Sequence, residues 1–158
     1  RCGWMCLSGP KQNAKSYIQG VNLLSSMRLC SNVPAQSIIQ TALGGIQSAD
    51  ELLLPGGRLF EQREVIYNEL SAIDGISVVK PDAAFYIFPK IDTQKIHINN
   101  DEKFAMDLLK KKYVLISHGT GFNMPEPGYF RIVYLPDKEI LHEACVRLGN
   151  FLQTYSQF

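Results

Sequence analysis

The sequence predicts an α/β fold in which a small mixed or antiparallel sheet carries helices on one face. Several segments repeat apolar residues at three- and four-residue spacing, which is typical of amphipathic helices. Between them lie short runs rich in β-branched and aromatic residues, which favour strands. The 158 residues are 46% hydrophobic, so the chain is too apolar to be disordered and long enough to bury a core.

The first part of the chain is predicted to form a strand followed by two helices. Residues 1–8 hold the continuous apolar run Trp4–Leu7, the pattern of a parallel strand that is buried on both faces. Helices are predicted over about 14–27, where apolar residues recur at helical spacing, and from Pro34 to about 46, since proline suits a first helical turn. The strand has no partner nearby in sequence, so we expect its neighbours in a part of a larger domain that this sequence does not contain.

The rest of the chain is predicted to form a self-contained α/β unit. Its predicted elements are, in order, a helix over 58–73, strands over 76–79 and 84–88, a helix after Asn100, strands over 114–116 and 129–135, and a helix over 137–155. The strands over 76–79 and 84–88 are expected to pair antiparallel. The sequence therefore predicts two domains, a remnant of a large domain over 1–54 and a small C-terminal domain over 55–158.

Composition and charge exclude several functions. Sixteen Lys and Arg against 15 Asp and Glu give a net charge of +1, which offers no electrostatic footprint for nucleic acid or an anionic membrane. No run of about 18 uncharged apolar residues is present, so no membrane-spanning helix is predicted. The spacing of the cysteines and histidines matches no zinc or redox motif, so we predict no metal site and a cytoplasmic protein with reduced thiols.

Arg131 is the most informative single residue, because it lies within the aromatic and β-branched strand Tyr129–Tyr134. Strand alternation places it on one face with Tyr129 and Val133. A guanidinium among apolar side chains must be paired or must face a cleft, and its planar fork suits a carboxylate. The functional interpretation is a substrate carboxylate site. The alternatives are an edge-strand arginine in water or a structural pair with Asp or Glu.

Two further features indicate a site. The segment Ser117–Asn123 follows a predicted strand and is rich in small residues, which allows a ligand to approach the backbone; the alternative is an ordinary connection. Arg1 precedes the predicted first strand, and arginine suits a phosphate group. No nucleophile motif, paired-carboxylate pattern or dinucleotide fingerprint is present, so no catalytic residue is assigned.

Five segments carry a family resemblance. They are Arg1-x-Gly3-Trp4, Ser26-Met27-Arg28-Leu29-Cys30-x-Asn32-Val33-Pro34-Ala35-Gln36, Pro55-Gly56-Gly57-Arg58, Phe85-Tyr86-Ile87-Phe88-Pro89-Lys90, and Gly119-Thr120-Gly121-Phe122-Asn123 with Arg131-Ile132-Val133. Together they resemble the class I/II aminotransferases, pyridoxal-phosphate enzymes of fold type I, and most of all the bacterial glutamate–pyruvate (alanine) aminotransferases. The resemblance covers essentially the whole chain as the C-terminal portion of such an enzyme.

The resemblance implies a function and two site residues. Arg1 would bind the phosphate of pyridoxal 5′-phosphate, and Arg131 would bind the α-carboxylate of the amino-acid or 2-oxo-acid substrate. The enzyme would be a homodimer that moves an amino group between alanine and 2-oxoglutarate. The Schiff-base lysine of the family would fall just before Arg1, so this chain alone is predicted to be inactive. Alternatives are another specificity (aromatic, aspartate or carbon–sulfur lyase) and a non-catalytic binding or assembly domain.

Overall fold

The computed structural model describes residues 2–157 and divides the chain into two compact units, Arg1–Ser48 and Ala49–Phe158. Within the described residues, no helix combines the length and the apolar character that crossing a membrane requires.

The first unit is helical. After a 3₁₀ turn over Gln12–Ala14, its helices are α1 (Lys15–Arg28), α2 (Val33–Ser37) and α3 (Ile39–Gly44). The side chain of Asn32 caps α2, since its Oδ1 accepts the Ala35 N–H at 3.2 Å, and Pro34 occupies the first turn of that helix, where its missing N–H costs nothing. The second predicted helix is therefore two short helices, which meet at Ile38.

Over residues 2–8, the described part of the strand predicted for residues 1–8, no strand is formed. Residues 2–7 have no regular secondary structure, and none of the residues described in the first unit is buried. A strand needs a hydrogen-bonded neighbour, and the rest of this unit is helical, so it supplies no such partner. The predicted remnant of strand, helix and helix is corrected to an irregular segment followed by three helices.

The described residues of the second unit form five helices and five short strands. In chain order these are α4 (Asp50–Leu53), α5 (Arg58–Ser71), β1 (Ile76–Ser77), β2 (Tyr86–Ile87), β3 (Lys90–Ile91), α6 (Thr93–Ile96), α7 (Asp101–Lys112), β4 (Ser117–His118), β5 (Phe130–Val133) and α8 (Lys138–Leu152). A 3₁₀ turn over Thr120–Phe122 lies between β4 and β5. The predicted α/β fold with a small antiparallel sheet is confirmed.

The strands form two antiparallel sheets. β1 pairs with β3, and a three-stranded sheet has the order β2-β5-β4. The predicted pairing of strands 76–79 and 84–88 is therefore wrong. Ala84 has a positive φ of 60°, and Tyr134 donates from its hydroxyl to the Ala84 carbonyl at 2.9 Å and from its N–H to the Phe85 carbonyl at 3.1 Å. These contacts tie the start of β2 to the end of β5.

The core of the second unit lies between the sheet and helices α5, α7 and α8. Ile87 of β2, Phe130 of β5 and Tyr134, which directly follows β5, are all at most 1% exposed. The helices contribute buried apolar residues at helical spacing. These are Ile66 and Leu70 of α5, Phe104 and Leu108 of α7, and Leu141, Cys145, Leu148, Phe151 and Leu152 of α8. The opposite face of the sheet is therefore left available for a site.

Candidate functional site

Arg131 lies at the centre of the three-stranded sheet. It belongs to β5, which has β2 on one side and β4 on the other, so the edge-strand alternative is wrong. Arg131 pairs with Ser117 across the sheet, and Tyr86 pairs with Val133. Because paired and alternate residues share a face, these four side chains lie on the face away from the buried Phe130.

Two aromatic rings flank the guanidinium group of Arg131. Its Cζ lies 4.6 Å from the centroid of the Tyr86 ring and 4.4 Å from that of Phe122. Both distances are within the range of a cation–π interaction. Phe88 extends the aromatic surface, since its ring centroid is 5.9 Å from those of both Phe122 and Tyr129. The rings hold the guanidinium plane while leaving its N–H groups free for another partner.

The side-chain nitrogen atoms of Arg131 have no hydrogen-bond or ion-pair partner among residues 2–157. Its Nε is buried without a hydrogen bond, and none of the ion pairs formed by the described residues includes its guanidinium. The structural ion pair considered from the sequence is thus not found there. An unsatisfied buried donor is costly, and a planar carboxylate bound by the fork would satisfy it.

A tight turn after β4 carries one of the two rings. Gly119 donates its N–H to the Tyr129 carbonyl at 2.8 Å, and a Cβ at position 119 would lie 2.6 Å from the Tyr129 Cβ. No other residue type allows this approach. Thr120 binds the carboxylate of Asp101, at the start of α7, through its N–H and its hydroxyl, both at 2.8 Å. The small residues of this segment therefore serve a tight turn beside Arg131.

His118 supports the same turn. Its Nδ1 accepts the Gly121 N–H at 3.1 Å and lies 2.9 Å from the Thr120 hydroxyl oxygen. The ring is partly buried, on the core side of the sheet, because His118 pairs with Phe130. It does not share the face of Arg131.

Tyr86, Phe122 and Asp101 were not predicted from the sequence to be site residues. Tyr86 and Phe122 stand within segments that the sequence analysis singled out, but only the β2–β5 register and the turn geometry bring them to Arg131. Asp101 begins α7 and meets the turn only through its bonds to Thr120. Arg1 lies outside the described residues, so its role as a phosphate ligand stays a prediction. The role of Arg131 toward a substrate carboxylate also stays a prediction.

Comparison with known proteins assigns the chain to a family. The family model for aminotransferase class I and II matches residues 1–148. The chain therefore belongs to the class I and II aminotransferase family, as the quoted motifs predicted.

Two individual relatives are similar to this chain over almost its whole length. The chain is 55% identical over 157 residues to the glutamate-pyruvate aminotransferase AlaA of Haemophilus influenzae, covering 99% of this chain and 39% of the relative. It is 50% identical to the alanine aminotransferase of Mycobacterium tuberculosis, covering 99% of this chain and 37% of the relative. The chain thus spans only 37–39% of the length of these curated relatives.

Solved structures give the same result for the fold. An aminotransferase from Escherichia coli matches with a TM-score of 0.80 and 48% identity over 96% of this chain and 37% of its own. The alanine aminotransferase from Pyrococcus furiosus matches with a TM-score of 0.69 and 37% identity over 91% of this chain and 36% of its own. These matches confirm that the fold is that of an aminotransferase portion.

Proposed function

We propose that the protein acts as a pyridoxal-phosphate-dependent aminotransferase that moves an amino group between alanine and 2-oxoglutarate, giving pyruvate and glutamate. Two relatives that match 99% of this chain are named as glutamate-pyruvate and alanine aminotransferases. The observation that carries the proposal is the guanidinium of Arg131, which is fixed between Tyr86 and Phe122 and has no anionic partner among the described residues.

Arg131 is proposed to bind the carboxylate shared by all four substrates and products. Its N–H groups would donate to both carboxylate oxygens, while the two rings keep the fork from rotating. Such binding fixes the Cα–H bond of the amino acid in one orientation, which is what a stereospecific proton transfer at that carbon requires. When bound, pyridoxal phosphate supplies the electron sink for this chemistry.

Arg1 is the residue of this chain proposed to hold the cofactor phosphate. The unsatisfied Nε of Arg131 fits the carboxylate of a substrate. No lysine for the cofactor is assigned within the 158 residues, and the chain spans 37–39% of its relatives. We therefore propose that the chain by itself does not catalyse the reaction.

The proposed organisation follows the sequence analysis. Residues 1–54 would belong to a large cofactor-binding domain and 55–158 to a small domain, in a homodimer. We also propose a cytoplasmic location, which the free and exposed thiols of Cys2, Cys6 and Cys30 support, because exposed free cysteines persist in reducing compartments.

The test of the carboxylate role is Arg131→Lys and Arg131→Ala in the whole enzyme. We expect kcat/KM for alanine to fall by about 100-fold or more in both, because lysine lacks the planar fork. Wild type should prefer alanine to ethylamine, which has no carboxylate, and Arg131→Ala should lose that preference. Arg147→Lys, an α8 arginine bound to the Lys112 carbonyl and paired with Glu143, is the matched control. Unchanged kinetics in Arg131→Ala would exclude the role.

A further inference from the structure

We propose that Asp101 and Thr120 are positioning residues that hold the 119–123 turn, and through Phe122 the guanidinium of Arg131, in the orientation that binds a carboxylate. The proposal rests on the proposed function of Arg131. It assigns a role to a buried carboxylate that the reaction itself does not use.

The carboxylate of Asp101 is buried without a cationic partner. The residue is 3% exposed, and the ion pairs among residues 2–157 do not include it. A buried carboxylate is retained only where hydrogen bonds replace its hydration. Two such bonds come from Thr120, whose N–H donates to Oδ2 and whose hydroxyl donates to Oδ1, each at 2.8 Å. Asp101 also begins α7, where the helix dipole favours negative charge.

Thr120 is the residue through which this carboxylate fixes the turn. The Phe122 N–H donates to the Gly119 carbonyl at 2.8 Å, and the Asn123 N–H donates to the Thr120 carbonyl at 3.0 Å. Gly119 is itself pressed against Tyr129. The backbone that carries Phe122 is thus held on one side by the sheet and on the other by the N-terminus of α7.

The ring of Phe122 is only partly packed, so its position depends on this backbone anchor. The residue is 41% exposed, and Phe88, whose ring centroid is 5.9 Å away, is the aromatic neighbour on its own face. Yet its centroid lies 4.4 Å from the Arg131 Cζ. If the anchor is removed, the turn can move, the ring leaves the guanidinium, and Arg131 samples orientations that do not match a carboxylate.

The test compares three site variants with one control in the whole enzyme. Thr120→Val removes the bond from the hydroxyl, and Asp101→Asn replaces one of the two accepting oxygens with an NH2 donor, while Thr120→Ser keeps both anchor bonds. Asp107→Asn is the control, because Asp107 lies on the same helix and accepts the Tyr155 hydroxyl at 2.9 Å, away from the site. We expect KM for alanine and for 2-oxoglutarate to rise about 5- to 30-fold in Asp101→Asn and Thr120→Val, with kcat changed by less than about 3-fold. Thr120→Ser should restore the wild-type KM.

A second readout does not depend on transamination. Phenylglyoxal modifies exposed arginine guanidinium groups, and peptide mass spectrometry reports the rate at Arg131. We expect this rate to rise about fivefold in Asp101→Asn and Thr120→Val and to stay at the wild-type value in Asp107→Asn and Thr120→Ser.

The outcomes separate the two proposals. An equal rise in KM in Asp101→Asn and Asp107→Asn would overturn the positioning role. An unchanged KM and an unchanged modification rate at Arg131 in Thr120→Val would also overturn it. Absence of alanine turnover in the wild-type enzyme would instead overturn the proposed function, and the modification rates would still decide whether the anchor orients Arg131.

Discussion

Phe122 is the side chain whose loss should reveal most directly how Arg131 is held. A cation–π contact is worth about 1–2 kcal/mol when partly desolvated. Phe122→Leu should therefore lower kcat/KM for alanine by about 5- to 30-fold while leaving the fold intact, as steady-state kinetics and circular dichroism would show. Tyr113→Leu is a control, since Tyr113 is 81% exposed and lies outside the site. Equal kinetic effects in the two variants would argue against the contact.

The thiol of Cys145 should make stability depend on pH in the alkaline range. Burial raises its pKa to about 12, and the negative charge of Glu69 adds to the shift. An unfolded thiol ionises near pH 8.5, so the folded state binds the proton more tightly and stability falls as the pH rises from about 9 toward 12.

Urea unfolding of wild type and Cys145→Ala would measure this effect. Between about pH 8 and pH 10.5, wild type should lose on the order of 2 kcal/mol more than the variant. Comparing how the free energy of unfolding changes with pH in the two proteins cancels the constant destabilisation caused by the smaller alanine side chain. It also cancels the contribution of titrating groups that both proteins share. Parallel stability curves would mean that the thiol ionises freely in the folded state.

At the scale of single residues, the sequence allowed only part of the site to be predicted. Arg131 could be singled out because a charged residue inside an aromatic and β-branched strand demands an explanation. Tyr86, Phe122 and Asp101 could not be connected to it, because their proximity depends on strand register and on one turn. Those are long-range features that no local pattern encodes.

The long helices could be predicted well because their periodicity is local, whereas the four-residue helices α4 and α6 were not predicted. The helix expected over 58–73 is α5, Arg58–Ser71, and the one expected over 137–155 contains α8, Lys138–Leu152. The strands in the three-stranded sheet are two to four residues long, too short for an alternating pattern to specify a partner. The pairing of β2 with β5 depends instead on Tyr134, which lies about fifty residues from Ala84 in sequence.

Helix α7 offers a test of the core at the scale of one element. Leu108 is fully buried against α8 and the sheet, at 0% exposure, while Met106 on the same helix is 47% exposed. Leu108→Ala should lower the free energy of unfolding by about 3 kcal/mol, and Met106→Ala by less than about 1 kcal/mol. Denaturant unfolding of the two variants would give both values. A similar decrease in the free energy of unfolding in the two variants would show that α7 does not pack as described.

The two units should differ in stability when the 158-residue chain is studied alone. None of the described residues before Ala49 is buried, whereas the second unit has a continuous core. Burial of apolar surface is the main stabilising term in folding, so the first unit should open readily. Limited proteolysis should cleave before Ala49 and leave a resistant fragment close to 49–158, identified by intact mass. Preferential cleavage within α5 or α8 would contradict this expectation.

In a directed-evolution experiment on this protein, position 119 should not tolerate any residue other than glycine. A methyl group there would lie 2.6 Å from the Cβ and 2.7 Å from the carbonyl oxygen of Tyr129, so the restriction comes from steric contact with a neighbouring chain segment. A randomised library should return glycine at this codon whichever amine is used for selection. Its enrichment would therefore carry no information about substrate preference, and diversity is better placed elsewhere.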